Sequence, residues 1–354
     1  MAARVSDRLP ISYVLPLRMV DVGPRAELAA YLRELIGWVD DVIVVDGSEP
    51  ELFVGNAATW PAGVRQLAPD PAHDCLNRKV VGVHTGVERA RHEHVVLADD
   101  DVRYLRPQLA RIHALLDAHD LVRPQNVFDP LPWHARWDTA RTLLNRSLGA
   151  DFPGTLAVRR SRFLAMGGYD GDVMFENLEL IRTVRADGGR EVAPLDLLVR
   201  RRPPTAAQFW SQRVRQAYDE FTLPVRLACW LAVAPLVALA LARRRPRAIG
   251  LGAISVVALA ERGRRRAGGE AFPASSSLLA PLWLLERGFC IWLALLQRLQ
   301  HGGVLYGETV IPTAGHSLRM LRRRARRRPS ARTGQTVDVH SPSAAVEHSA
   351  PLSA

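Results

Sequence analysis

Cysteine is scarce: Cys75, Cys229 and Cys290 are the only three in 354 residues, far apart and in no paired or metal-ligand spacing. This excludes a disulfide scaffold and a thiolate metal site, and it fits a reducing compartment. Lysine is scarcer still. Lys79 is the single lysine among 47 basic residues, all the others being arginine, so its presence calls for a reason of its own. The N-terminus lacks an apolar stretch long enough for a signal peptide, because Arg8, Pro10 and Arg18 interrupt it. The first 200 residues are therefore expected to stay cytoplasmic.

Charge is present but unevenly placed. Residues 1–200 carry 24 basic and 28 acidic residues, a net of −4, whereas residues 201–354 carry 23 and 8, a net of +15. Basic excess of that size points to nucleic acid or an anionic membrane surface. Here the arginines bracket apolar runs, which favours membrane over nucleic acid. The run 227–242 has 16 charge-free positions, about 24 Å of helix, nearly or fully enough to span a bilayer. The run 248–260 is too short to span alone and reads as re-entrant or core-packed. Residues 278–299 hold Glu286 and Arg287 mid-run, so an interfacial helix or one packed on protein competes with a span.

The front of the chain alternates strand and helix patterns. "ISYVLPL" (11–17) reads as a buried strand, 25–39 as an amphipathic helix, and "DDVIVVDGS" (40–48) as a parallel strand buried on both faces. A helix over 79–91, the strand "HVVLADDD" and a helix over 110–119 follow. This order predicts an open, mostly parallel α/β sheet whose ligands sit at the carboxyl ends of the strands. Asp46 and the triplet Asp99, Asp100 and Asp101 both fall there. The region 121–160, rich in Pro and Trp, reads as irregular loops walling a binding site. A strand and two helices ended by Gly167-Gly168 and Gly188-Gly189 then lead to "LLVRRRPP".

Like charges buried together are costly without a cation. An Asp-x-Asp after a buried strand offers hard oxygen ligands suited to Mg²⁺ or Mn²⁺, which commonly bridge to a diphosphate. In an extended segment Asp100 faces away from Asp99 and Asp101, so it is expected to tolerate substitution best.

Five segments in order resemble a family-2 glycosyltransferase of the GT-A fold, over roughly residues 11–220 and beyond. They are "VIVVDGS" with "NRKVVGVHTGVERARHEHVVLADDD", "GTLAVRRSRFLAMGGYD", "FENLELIRTVRADGG", "QRVRQAY" and "GGVLYGE". The resemblance implies that Asp46 contacts the nucleotide base or ribose, with Pro16 and Arg18 beneath the nucleotide. It implies that Lys79 approaches the nucleotide or diphosphate, Asp99 contacts the nucleotide sugar, and Asp101, with Asp99, holds the metal. Arg215 would pair with the diphosphate or close the site, with Gln212 of the same motif a further binding candidate. Phe209 and Trp210 are expected at the headgroup level. At the base position the sequence departs from the family pattern: Asn177 stands where Asp is usual, and an amide accepts no proton at neutral pH. Glu176 and Glu179 remain as candidates, three residues apart near one face of a helix start. Gln216 stands where the motif's Trp is usual, so a processive polymer synthase is not supported.

The expected organisation is a GT-A domain (1–204), an amphipathic interfacial helix (205–222), membrane-associated helices (223–300, about 224–243, 247–261 and 278–299), a basic juxtamembrane segment (301–328) and a disordered tail (329–354). The expected activity is inverting, metal-dependent transfer of a sugar from a nucleotide-sugar donor, a UDP-sugar, to a lipid-linked or glycolipid acceptor at the bacterial cell membrane, with the catalytic domain cytoplasmic. Two alternatives are a nucleotidyltransferase, although "PLRMVDVG" is no glycine-rich basic loop, and a non-catalytic membrane-anchored nucleotide-sugar-binding scaffold, for which Asn177 argues.

Overall fold

The computed structural model describes residues 8–307 and 309–328; the segment 329–354 lies outside them. The chain begins β1 (Leu9–Leu17), α1 (Arg25–Trp38), β2 (Val39–Asp46), α2 (Pro50–Thr59), β3 (Val64–Leu67), α3 (Arg78–Arg89) and β4 (His94–Ala98). There follow β5 (Val102–Arg103), α4 (Arg106–Leu116), β6 (Leu121–Val122), β7 (Gln125–Phe128), α5 (Trp133–Leu148), β8 (Thr155–Arg159), α6 (Arg160–Ala165), α7 (Glu176–Ala186), β9 (Glu191–Val192) and β10 (Leu198–Arg201). The main sheet has the order β3-β2-β1-β4-β8-β6-β9. Strands β3, β2, β1 and β4 run parallel, while β8 is antiparallel to both β4 and β6. A smaller sheet, β5-β10-β7, stands beside it.

Both faces of the main sheet are covered, and strand periodicity decides what each side chain meets. Tyr13, Val42, Val44 and Val96 join one core, whereas Val14, Ile43, Val45 and Val95 join the other. Helix α3 lies unusually close to β1 because two of its residues have no Cβ. A Cβ on Gly82 would come within 2.9 Å of Pro16, and one on Gly86 within 2.2 Å of Val14. Gly86→Ala is therefore expected to destabilise the fold by about 1–3 kcal/mol through overpacking, read as a lower midpoint in denaturant.

Part of the region expected to be irregular is a 16-residue helix, α5. Pro132 sits just before its first residue, where proline disturbs no helical bond, so the cluster of prolines marks the boundary rather than the interior. Phe209 is also not at a surface. It is 2% exposed, with ring contacts to Trp133, His134 and Trp137 and the Arg213 guanidinium 4.3 Å away.

The C-terminal part comprises α8 (Ala206–Ala217), α9 (Pro224–Ala242), α10 (Pro246–Arg264), α11 (Ala274–Leu278), α12 (Ala280–His301), the hairpin β11 (Val304–Tyr306) and β12 (Thr309–Ile311), and α13 (Leu318–Arg327). Among the described residues α9 alone is long and apolar enough to cross a membrane, with hydropathy 2.1 and none of that window buried. Helix α10 is longer than its apolar run because the arginines at both ends continue it. Its end packs on α5, where a Cβ on Gly263 would lie 1.9 Å from the Leu143 carbonyl oxygen. Helix α12 packs on protein along the face that carries its charges: Arg287 is buried and donates to the Gln216 carbonyl, and Glu286 lies 3.4 Å from Arg213. Its opposite face exposes Leu285, Phe289, Trp292 and Leu296.

Candidate active site

Order in the sheet changes direction at β1, with β2 and β3 on one side and β4 on the other. A crevice opens where such a change occurs, at the carboxyl ends of the strands. Here it is a cleft of about 2280 Å³ whose wall includes Pro16, Arg18, Asp46, Lys79, all three residues of the aspartate triplet, Glu176, Gln212 and Arg215. Residues from the first strand to the last helices thus converge on one space.

Asp46 ends β2 and is 1% exposed. Its Oδ1 accepts from the Ser48 amide at 2.9 Å, and its Oδ2 accepts from Asn56 Nδ2 at 2.8 Å and Gln66 Nε2 at 3.1 Å. The carboxylate therefore orders the strand-end turn that forms the cleft floor. Pro16 sits beneath Gly82 on that floor, while Arg18 is 65% exposed and 4.0 Å from Glu49.

The acidic turn is held by two cations. Lys79 stands in the first turn of α3, which Asn77 caps by accepting from the Lys79 amide at 3.2 Å. Its Nζ pairs with Asp99 Oδ1 and, at 2.6 Å, with Glu176 Oε1. Arg201, at the end of β10, lies 2.8 Å from Asp101 Oδ2 and 3.5 Å from Asp99 Oδ2. Gly154 makes room for this contact, since a Cβ there would be 2.5 Å from Asp99 Oδ2. Sequence reasoning passed over Arg201; the basic run "RRR" after an apolar strand was its only local signal.

Four carboxylates, from the aspartate triplet and Glu176, meet two paired cations, Lys79 and Arg201, with Arg103 acting on Asp100 as well, so negative charge stays in excess at the turn. Burial pushes the Asp101 carboxyl up, against the pull of Arg201, and Asp99 adds to the rise. Desolvation by the cleft walls, with Asp101 and Asp99 adding to it, pushes Asp100 up to about 6. Asp101 Oδ1 is buried and has no hydrogen-bond partner among the described residues. An orphaned carboxylate oxygen beside uncompensated negative charge fits a divalent ion with hard oxygen ligands, as Mg²⁺ or Mn²⁺ is. Asp100 is thus no bystander: it lines the same cleft, because the chain leaves the strand after Ala98 and turns.

Protonated Asp100 offers a cation no charge and ionised Asp100 favours one. Mn²⁺ stabilisation of the protein is therefore expected to be weak at pH about 5 and to grow as pH rises through about 6. A thermal-shift series over pH checks this, and Asp100→Asn should move the rise to lower pH, leaving the part that Asp101 contributes.

The two glutamates part company. Glu176 begins α7 and lines the cleft beside Lys79. Glu179 is fully buried behind it and accepts from the His316 amide and pairs with His316 Nδ1, each at 2.8 Å. The C-terminal chain occupies that side of α7: Thr313 and Ala314 carbonyls accept from the Met174 and Phe175 amides at 2.9 and 3.1 Å. Glu179 is thus a structural anchor and no candidate base, and its partner 137 residues away left no trace in local spacing. Asn177 also lines the cleft and donates to the Pro153 carbonyl at 3.1 Å.

Helix α8 divides its polar residues between two sides. Gln212, Arg215 and Gln216 reach the cleft, where Arg215 lies 5.3 Å from the Tyr306 ring centre. Arg213 faces away, 3% exposed and 2.9 Å from Asp138. Tyr306 and Gly307, from "GGVLYGE", line the cleft as well. The same cleft is lined by Trp230 of α9, Val256 and Leu259 of α10, and Trp283 and Leu284 of α12, together with the charged groups Asp219, Glu220, Arg226 and Arg287.

No family model matches the sequence, and no curated protein matches it. Solved structures similar to it include a mannosyltransferase from Pyrobaculum calidifontis in complex with GDP-Man and Mn²⁺, 17% identical over 82% of this chain and 87% of that one, TM-score 0.48. Mannosyl-3-phosphoglycerate synthase from Rubrobacter xylanophilus is 17% identical over 57% and 70%, TM-score 0.39. Glucosyl-3-phosphoglycerate synthase from Mycobacterium tuberculosis, in complex with Mg²⁺ and UDP, is 19% identical over 56% and 73%, TM-score 0.38.

Proposed function

We propose that this protein is an inverting, metal-dependent glycosyltransferase of the GT-A type, family 2, moving one sugar from a nucleotide-sugar donor, a UDP-sugar, to a lipid-linked acceptor at the cytoplasmic face of a bacterial membrane. The carrying observation is the continuity of one cleft from the orphaned Asp101 oxygen and the Lys79 bridge into a wing of apolar side chains beside the exposed helix α9. A donor diphosphate needs the first end, and an acyl or prenyl chain needs the second.

In this reading the nucleotide lies over Pro16 and the Asp46 turn. Asp99 and Asp101 would hold a divalent ion, which would neutralise the leaving diphosphate. Lys79 and Arg201 flank that charge, so its release is stabilised by groups already in position. Glu176 takes the proton of the acceptor hydroxyl as its oxygen bonds the anomeric carbon, on the face opposite the breaking bond to the diphosphate.

A thermal-shift screen of nucleotide sugars, each with and without Mn²⁺, tests the donor half. A true donor at about 100 times its Kd stabilises by about 2.7 kcal/mol, and absence of any metal-dependent shift would remove the reading. Transfer assayed with lipid-extract and water-soluble acceptors tests the other half.

A further inference from the structure

A second group of potential metal ligands lies outside the acidic turn. His73, His84 and Glu88 each bring a ligand atom within 4.8 Å of the other two. His84 and Glu88 are four residues apart on α3 and so share a face; His73 comes from the loop 68–77 that leads from β3 to α3. The transferase cleft leaves His84 and Glu88 without a role, and among these three only His73 borders it.

The three are arranged as ligands are. His73 Nε2 lies 3.1 Å from Glu88 Oε2, near the ligand spacing of about 3.3 Å that tetrahedral bonds of 2.0–2.1 Å impose. His84 Nε2 is held by the Tyr169 carbonyl at 3.1 Å. The Tyr169 amide also approaches Nε2, at 3.4 Å, so the Tyr169 backbone holds the ring in place on that side, an outer-shell support of the kind metal-binding histidines have. The ring cannot swing away: it packs on Phe163 and Tyr169 at 5.2 and 5.6 Å, and a Cβ on Gly168 would lie 2.0 Å from its Cε1.

We propose that His73, His84 and Glu88 form a second cation site, for a borderline divalent ion of the zinc class, that pins the loop 68–77 to α3. Two imidazoles and one carboxylate select Zn²⁺ over Mg²⁺ or Ca²⁺, and Glu88, 41% exposed, leaves a coordination position open to solvent. The pinned loop supplies Pro69, Asp70, Pro71, Asp74 and Leu76 to the nucleotide end of the cleft. A metal there would order a donor-pocket wall without touching the reacting atoms. The inference is independent of the transferase reading, because it rests on no residue of the acidic turn.

The test uses the untagged full chain, stripped with chelator, in an Asp101→Asn background that silences the acidic turn. Titration with Co²⁺ should give one equivalent with visible d–d bands, displaced by Zn²⁺, and Zn²⁺ should protect residues 68–77 from proteolysis. His73→Ala and Glu88→Gln should each weaken binding by at least about 10-fold and abolish the protection. Glu88→Gln changes an exposed residue isosterically, so its result does not depend on a refolded core. Absence of the bands, or bands and protection unchanged in both variants, would overturn the proposal.

Discussion

Asp101→Asn is expected to lower sugar transfer by about 10³-fold or more and to abolish Mn²⁺-dependent stabilisation. The substitution keeps the shape of the side chain and its approach to Arg201, 2.8 Å away, but removes the charge that an ion needs and turns one oxygen into a donor. Loss of a single preorganised electrostatic contact to a developing charge costs about 10²–10³ in rate, and here the ion's own contribution goes with it. The unpaired Oδ1 of Asp101 identifies the position at fault. Because burial raises the pKa of Asp101, its ionised form is a cost to the folded state when no ion is bound. In chelator the melting temperature of Asp101→Asn reflects two opposed effects, relief of that cost and loss of the charge paired with Arg201, and it should not move when Mn²⁺ is added. Equal Mn²⁺ shifts in the two proteins would place the ion elsewhere.

Glu176→Gln is expected to reduce turnover by about 10²–10⁴-fold, the usual worth of a positioned general base, while leaving donor-induced stabilisation largely intact. The amide retains the size of the carboxylate and cannot take the acceptor's proton. Two controls separate this from a structural effect. Glu179→Gln should leave the cleft chemistry in place but loosen the C-terminal chain, since Glu179 is buried against His316. Its signature is a lower melting temperature, not a specific loss of turnover with donor binding retained. Asn177→Asp would install a carboxylate beside the cleft. Rescue of Glu176→Gln by Asn177→Asp would show that the two positions share the base's task. A Glu176→Gln protein with parental turnover would instead leave Glu176 as the partner of Lys79 and nothing more.

The acidic end of the cleft was largely legible in the sequence as a meeting of strand ends, and the rest was legible only in part. Asp46, Lys79 and the aspartate triplet sit where a change from strand to turn is written in local pattern: an apolar run, then acids, then glycine or a charged helix start. Strand and helix periodicities are properties of a few consecutive residues, so they survive in a one-dimensional string. The irregular reading of 121–160 failed because Pro and Trp composition says nothing about whether a helix begins between the prolines, as α5 does at Trp133. Asp100 was misjudged because alternation of side chains holds only while a strand continues, and β4 stops at Ala98.

The sorting of Glu176 from Glu179 shows where local reasoning ends. Both glutamates occupy the first turn of one helix, and their spacing makes them near equals. One faces Lys79, 97 residues earlier, and the other faces His316, 137 residues later. Arg201 likewise meets Asp101 across 100 residues. From its residue order alone this chain specifies an α/β sheet with acids at its strand ends, a single lysine opening a helix beside them, and an apolar, arginine-flanked C-terminal half. Which carboxylate enters the cleft, which arginine holds the aspartates, and that Tyr306 reaches the same cleft were decided by packing. Burial forces each charged group to find a partner at short range in space, and such partners need not be neighbours in sequence.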